Sequence, residues 1–289
     1  MKKIFILTVI ISMGSNLFSQ EKADSSKWEF GGIGTFTFSQ VSLYQWSAGG
    51  EASLSGAGLL NLYGNYNDES VSWVNSLDLG YGLIKQGDKT KKSNDRIEFT
   101  SQYGRKATEK WLYSAMFNFK TQFTEGFDYN TDPSSTISTY LSPAYMLGSA
   151  GMDYKPNDKF QLFISPVTGK LTFVLDETIS QLGNFGLEAG EKFRAELGGY
   201  LKVAYKSSIM ENVDFATKLD FFSNYMDDPQ NIDINWEILI SMKINEYLSA
   251  TVNALLIYDD DVNVPREGIF SGPGVQVKEV LGLGLSYKF

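Results

Sequence analysis

From Trp28 to Phe289 the chain alternates apolar and polar residues. Between 232 and 244, Ile232, Ile234, Trp236, Ile238, Ile240, Met242 and Ile244 alternate with Asp233, Asn235, Glu237, Leu239, Ser241 and Lys243. Between 193 and 205, Phe193, Ala195, Leu197, Leu201, Val203 and Tyr205 oppose Arg194, Glu196 and Lys202. Between 111 and 123, Trp111, Tyr113, Phe117, Phe119 and Phe123 oppose Ser114, Asn118, Lys120 and Gln122. The last nine residues set Leu281, Leu283, Leu285, Tyr287 and Phe289 against Gly282, Gly284, Ser286 and Lys288. A period of two sends successive side chains to opposite faces of a strand.

The pattern predicts an all-β chain of twelve strands, near 28–39, 51–66, 70–85, 94–105, 109–123, 137–154, 159–173, 192–206, 211–223, 231–244, 247–258 and 277–289. Ten or fourteen strands fit the same rhythm. Most segments run past ten residues, longer than the roughly 5–6 of a globular sheet. Such length suits strands that cross a bilayer at a tilt. Short connections (67–69, 106–108, 155–158, 207–210, 245–246) alternate with long ones (40–50, 86–93, 124–136, 174–191, 224–230, 259–276). That is the rhythm of an outer-membrane barrel, with short periplasmic turns and longer outer loops. The expectation is one antiparallel transmembrane β-barrel over 28–289, with both ends on the periplasmic side. The stretch 137–173 is the weakest part, because Pro143, Pro156 and Pro166 interrupt it and proline is unwelcome in a paired ladder. A secreted soluble sandwich also alternates, but its outward face would be the charged one.

The N-terminus changes the picture by adding an export route. Met1, Lys2 and Lys3, the apolar run Ile4–Ile11 and the small residues to Ser19 read as a signal peptide over 1–19, with a polar periplasmic lead-in over 20–27. Outer-membrane localisation follows. Removing that segment takes two lysines and moves the formal charge from −9 to −11. An acidic chain is a poor nucleic-acid partner. There is no cysteine, so neither a disulfide nor a thiolate metal site can form. There is also no histidine, which removes the Ser-His-Asp arrangement and imidazole-ligated zinc. No spacing singles out a Ser–Lys pair or a pair of carboxylates as an alternative. Neither enzymatic activity nor a cofactor is expected.

The candidate chemistry lies on the polar face. Lys120, Arg194, Glu196, Lys202, Asp233, Glu237 and Lys243, together with Glu98, Lys218 and Asp220, are candidate lumen residues. Their mixed signs favour mutual neutralisation in a filled interior over a selective ring of one sign. Asp259, Asp260 and Asp261 with Asn263 have oxygen ligands suited to Ca²⁺ but lack EF-hand spacing, so a solvated acidic loop is the simpler reading. Lys89, Lys91, Lys92 and Arg96 could meet lipopolysaccharide phosphates, or form a soluble loop tip. Gly49-Gly50 reads as a bend, since no helix follows to make a phosphate cradle. Leu281, Leu283, Leu285, Tyr287 and Phe289 resemble the C-terminal signal by which the barrel-assembly machinery takes up such chains.

Several separate segments resemble a Bacteroidetes envelope family, domain of unknown function 3078. They are Trp46-Ser47-Ala48-Gly49-Gly50-Glu51, Trp73-Val74-Asn75, Asp95-Arg96-Ile97-Glu98, Asn118 to Phe123 with Gly126, Lys155-Pro156-Asn157, Ser165 to Lys170, Glu211-Asn212-Val213 and Tyr258-Asp259-Asp260. The resemblance spans about Trp28 to Phe289. It implies an outer-membrane barrel and carries no catalytic residue. The resulting reading is a non-enzymatic barrel, either an accessory or structural subunit of an envelope complex or a narrow passive channel for small polar solutes. The alternatives are a histidine-independent enzyme acting on lipid or peptide, and a soluble β protein. Outer-membrane lipid, lipopolysaccharide and the assembly machinery are the expected partners.

Overall fold

The structure is a computed structural model that describes residues 27–42, 51–129, 135–264 and 272–289. Twelve antiparallel strands close into one barrel. In chain order they are β1 (Trp28–Val41), β2 (Ser53–Asn67), β3 (Val71–Gln86), β4 (Lys89–Lys106), β5 (Trp111–Thr121), β8 (Ala144–Asn157), β9 (Phe160–Phe173), β10 (Phe193–Met210), β11 (Val213–Asn224), β12 (Ile232–Lys243), β13 (Leu248–Tyr258) and β16 (Gln276–Lys288). Two short ribbons, β6 (Gly126–Asp128) with β7 (Ser135–Ser138) and β14 (Asn263–Val264) with β15 (Gly272–Pro273), and one helix, α1 (Glu177–Ser180), stand above one end. Each strand pairs with its sequence neighbour in the wall, and β16 returns to β1 over five residue pairs, which closes the ring. Closure removes the exposed edges that an open sheet of this size would carry.

The strands form because their alternation matches the pleat, and parity then decides which face each side chain takes. The outward face is apolar and uncovered: Leu281 is 79% and Phe30 73% exposed. The inward face is charged and covered: Glu98 is 5% and Lys202 8% exposed. This polarity is the reverse of a soluble protein's, as expected of a barrel in hydrocarbon. Aromatic rings circle the end with short turns. Trp28 lies 5.4 Å from Phe30 and from Tyr66 and 5.6 Å from Trp73, Trp73 lies 6.5 Å from Tyr103, and Trp111 lies 4.8 Å from Tyr154. A second group, including Tyr81 with Phe123 and Phe173 with Phe193, marks the loop end.

Three stretches differ from the sequence expectation. Residues 137–143 do not belong to the wall; Ser135–Ser138 pairs with Gly126–Asp128, and the wall strand begins at Ala144. Residues 86–93 are not a long loop. Strands β3 and β4 continue outward as a ribbon closed at Gly87-Asp88, where Gly87 takes a φ of 57° open to glycine. Residues 207–210 likewise extend β10 to a tight turn at Glu211-Asn212. The prolines fall where the ladder slips. Pro166 lies between register shifts in β9, and Pro156 lies in the shift between Tyr154 and Asn157. The 1–19 and 20–26 segments, Trp46 to Gly50 and the side chain of Asn263 lie outside the described residues.

At the loop end, residues 174–191 fold into a small cap over β8 to β10. Val174, Ile179 and Leu187 form a buried apolar cluster with Phe185 against it. Asp176 caps α1 by accepting from the Ile179 N–H at 3.0 Å.

Candidate functional site

The polar groups that could act on a solute lie in the bore, which side chains bridge at three levels. The middle level joins β4 to β11 and β12. Arg96 donates to Glu98 at 2.5 Å and 3.0 Å and reaches Glu237 at 3.2 Å. Strands β4 and β12 stand six places apart in a ring of twelve, so this contact crosses the full bore. Lys218 sits at 3.8 Å from Glu98 and Asp220 and at 3.9 Å from Glu237. Asn118 donates to Glu98 at 2.9 Å, and the Tyr200 hydroxyl donates to Asp220 at 2.6 Å. Charges of both signs at these distances neutralise one another, which is the condition for burying them at tolerable cost.

The loop-end level is built on Lys170. Its ammonium lies 2.7 Å from Asp233, 3.4 Å from Glu196 and 3.7 Å from Asp259. Beside it Arg194 holds Asp261 at 2.5 Å, Glu196 at 3.4 Å and the Gly186 carbonyl of the cap at 2.7 Å. Asp260 accepts from Asn231 at 2.5 Å and from the Tyr258 hydroxyl at 2.8 Å. The acidic run 259–261 is therefore engaged by side chains of the wall, which ties the cap and the last loop to the mouth. Among the described residues no group has the composition and spacing to hold a metal ion.

The turn-end level is the most enclosed. Lys202 donates to Gln102 at 2.9 Å and touches the Met116 sulfur at 3.3 Å, with its ammonium 5.8 Å from the ring of the fully buried Phe163. Gln102 donates to Asp153 at 3.0 Å, and Gln161 joins both. Lys155 lies 3.1 Å from Asp153.

All these bridges spring from β4, β5 and β8 to β13, with Lys278 of β16 reaching Asn94 at 3.0 Å. The opposite wall is different. Between the rims the inward positions of β1, β2 and β16 include Thr35, Thr37, Ala57, Leu59, Gly282 and Gly284, which are uncharged, with Lys278 the charged position toward the loop end. Leu59 faces the bore and is still 42% exposed, so the described side chains leave this side of the lumen open. The bore is thus split lengthwise into a bridged charged half and a neutral half.

Of the sequence candidates, Arg194, Glu196, Lys202, Asp233 and Glu237 meet in these bridges. Lys120 stands beside Glu98 in the β4–β5 ladder, and Lys243 is exposed at the turn-end rim. Glu98, Lys218 and Asp220 form the middle level. Arg96 is corrected from a lipopolysaccharide-facing or loop-tip cation to a bore residue: it lies in β4 with the parity of Glu98 and contacts Glu98 and Glu237 inside the barrel. Lys92 also turns to protein, donating to Asp95 at 2.9 Å and the Thr124 carbonyl at 3.0 Å. Sequence reasoning missed Arg96, Gln102, Asp153 and Lys170 as bore groups. Shared parity with Glu98 along β4 could have assigned Arg96 and Gln102; Lys170 lies past the register shift at Pro166 in β9, and Asp153 lies on β8. Leu281, Leu283, Leu285 and Tyr287 lie on the outer face of β16, Phe289 follows its last residue, and all five are exposed.

A family described as a protein of unknown function (DUF3078) matches residues 38–127, the stretch that supplies Arg96, Glu98, Gln102, Asn118 and Lys120. Comparison with curated proteins yields no match. Among solved structures, the chain is similar to an outer membrane channel from Pseudomonas putida F1, at 11% identity over 90% of this chain and 94% of that one, with a TM-score of 0.41. It is also similar to the translocator domain of the autotransporter NalP from Neisseria meningitidis, at 8% identity over 99% and 95%, with a TM-score of 0.42. Neither likeness bears on what this chain does. The resemblance to the DUF3078 family drawn from separate motifs thus stands over residues 38–127, which run from the end of β1 into β6.

Proposed function

We propose that the protein is a passive, non-enzymatic outer-membrane barrel whose bore is a restricted channel for small solutes. The observation that carries this reading is the contact between Arg96 and Glu237 across the whole bore. A pore for bulk diffusion has an aqueous lumen wider than paired side chains can span. Here the charged half is closed at three levels, leaving only the neutral half beside β1 and β2 for passage. The apolar outer face and the two aromatic groups support placement in a membrane, with the short turns on the periplasmic side.

Purified protein in planar bilayers tests the reading. Small, ohmic steps are expected. Conductance of the size of an open porin, or complete silence in intact barrels, would contradict it.

A further inference from the structure

We propose that the loop-end half of the β1–β16 seam is a lateral portal. Through it a single-chain amphiphile of the fatty-acid type passes between the outer leaflet and the neutral half of the bore. The inference rests on the membrane placement proposed above.

Strands β1 and β16 are in register over only five residue pairs, Ile33–Thr37 against Gly284–Lys288. Every other wall seam has ten pairs or more. Beyond Thr37 and Gly284 the strands part. Phe38–Val41 pairs on one side only, with β2, and Gln276–Leu283 on one side only, with β13. Gly284 is the last paired residue of β16, and a Cβ there would lie 2.1 Å from the Phe36 carbonyl oxygen.

Two edges with unpaired N–H and C=O groups are costly in hydrocarbon unless polar partners reach them. Water from the bore is one partner; the carboxylate of an amphiphile is another. The side chains at the parting suit such a molecule. Phe38, Leu281 and Leu283 face outward and are exposed. Of the bore positions next to them Thr37, Leu59 and Val280 bear no charge, and Lys278, inward on the same unpaired stretch of β16, reaches Asn94 of β4 at 3.0 Å. An acyl chain entering between Lys278 and Gly284 meets apolar and small groups, while the bridges other than Lys278–Asn94 lie across the bore.

The chain has no native cysteine, so single-cysteine variants give clean reporters. Bimane is attached at Leu60→Cys (outer face), Leu59→Cys (bore, seam side) or Ala204→Cys (bore, opposite wall) in phosphatidylcholine vesicles. The quencher is stearate carrying a nitroxide midway along its chain. Loss of emission is expected at 60 and at 59 but not at 204. Emission preserved at 59 while 60 is quenched overturns the portal, and equal quenching at 204 overturns its confinement to the seam. Emission preserved at 60 as well contradicts the membrane placement itself. As a second readout, Phe36→Cys with Leu285→Cys should oxidise readily, being directly paired. Gln40→Cys with Leu281→Cys should not. Equal oxidation of both pairs shows a closed seam and overturns the proposal.

Discussion

Arg96 on β4 and Glu237 on β12 meet at 3.2 Å although their strands stand on opposite sides of the barrel. Glu98 lies beneath the same guanidinium and also faces Lys218, so one carboxylate serves two cations. Its side chain is 6% exposed. Removing its charge leaves two partly exposed cations short of a partner, which costs up to about 3 kcal/mol. Glu98→Gln is expected to lower the urea midpoint of the folded barrel in detergent accordingly. An unchanged midpoint would show that the bridge is too well hydrated to matter.

Lys202 should behave in the opposite way. Its ammonium has a neutral amide and a thioether as neighbours, with no carboxylate within ion-pair distance among the described residues. Replacing a buried charge by an apolar side chain of similar volume is often neutral or stabilising, by about 1 kcal/mol or more. Lys202→Met is therefore expected to keep or raise the unfolding midpoint. Gln102 remains tied through Gln161 and Asp153. A marked fall in the midpoint would contradict this account of the turn-end level.

Closure should depend on glycine at one position of the seam and not at another. A Cβ at Gly284 would meet backbone of Phe36, whereas at Gly34 it would meet nothing within 4 Å. Gly284→Ala should lose most of the heat-modifiable, folded form on gels, and Gly34→Ala should retain it. Deleting Phe289 should also impair assembly. It removes two backbone hydrogen bonds to Gly32, of 2.9 Å and 3.0 Å, from a seam of five pairs. A normal folded yield without Phe289 would argue against the terminus as an assembly signal.

The turn at Asp68 lies outside the wall and carries a pH signature. Its carboxylate accepts from the Ser70 N–H at 2.8 Å, the Val71 N–H at 2.7 Å and the Tyr66 hydroxyl at 3.0 Å. These bonds hold its pKa well below the ordinary 3.8. A depressed folded pKa contributes stability above the unfolded value, and that stability fades as pH falls from 3.8 toward the folded one. Asp68→Ala should lower the melting temperature at neutral pH. The gap to the parent should narrow below pH 3.8. A gap that stays constant down the acid limb would mean the carboxylate's charge plays no part.

The wall was legible because long runs such as 232–244 keep strict parity, and parity is all a strand needs to declare its two faces. Lys89–Ser93 was not legible: the ribbon there is polar on both sides, so nothing alternates. Residues 137–143 failed in the other direction, since Ile137 and Tyr140 imitate a strand that Pro143 separates from the wall. Parity also assigned Glu237 and Lys202 to the bore but could not give their partners. Which side chains meet across a barrel depends on tilt and stagger, and these are properties of the closed ring. The pairing of Arg96 with Glu237 and the shortness of the β1–β16 seam belong to that class.

The central claim is that outward side chains along each strand touch lipid while inward ones line a tube. Cysteine scanning of successive positions from Ile234 to Met242 on β12 tests it most directly, using a water-soluble maleimide on protein reconstituted in vesicles. Reaction is predicted at 235, 237, 239 and 241 and protection at 234, 236, 238, 240 and 242. A reversed alternation, or uniform reactivity along the strand, would contradict the account.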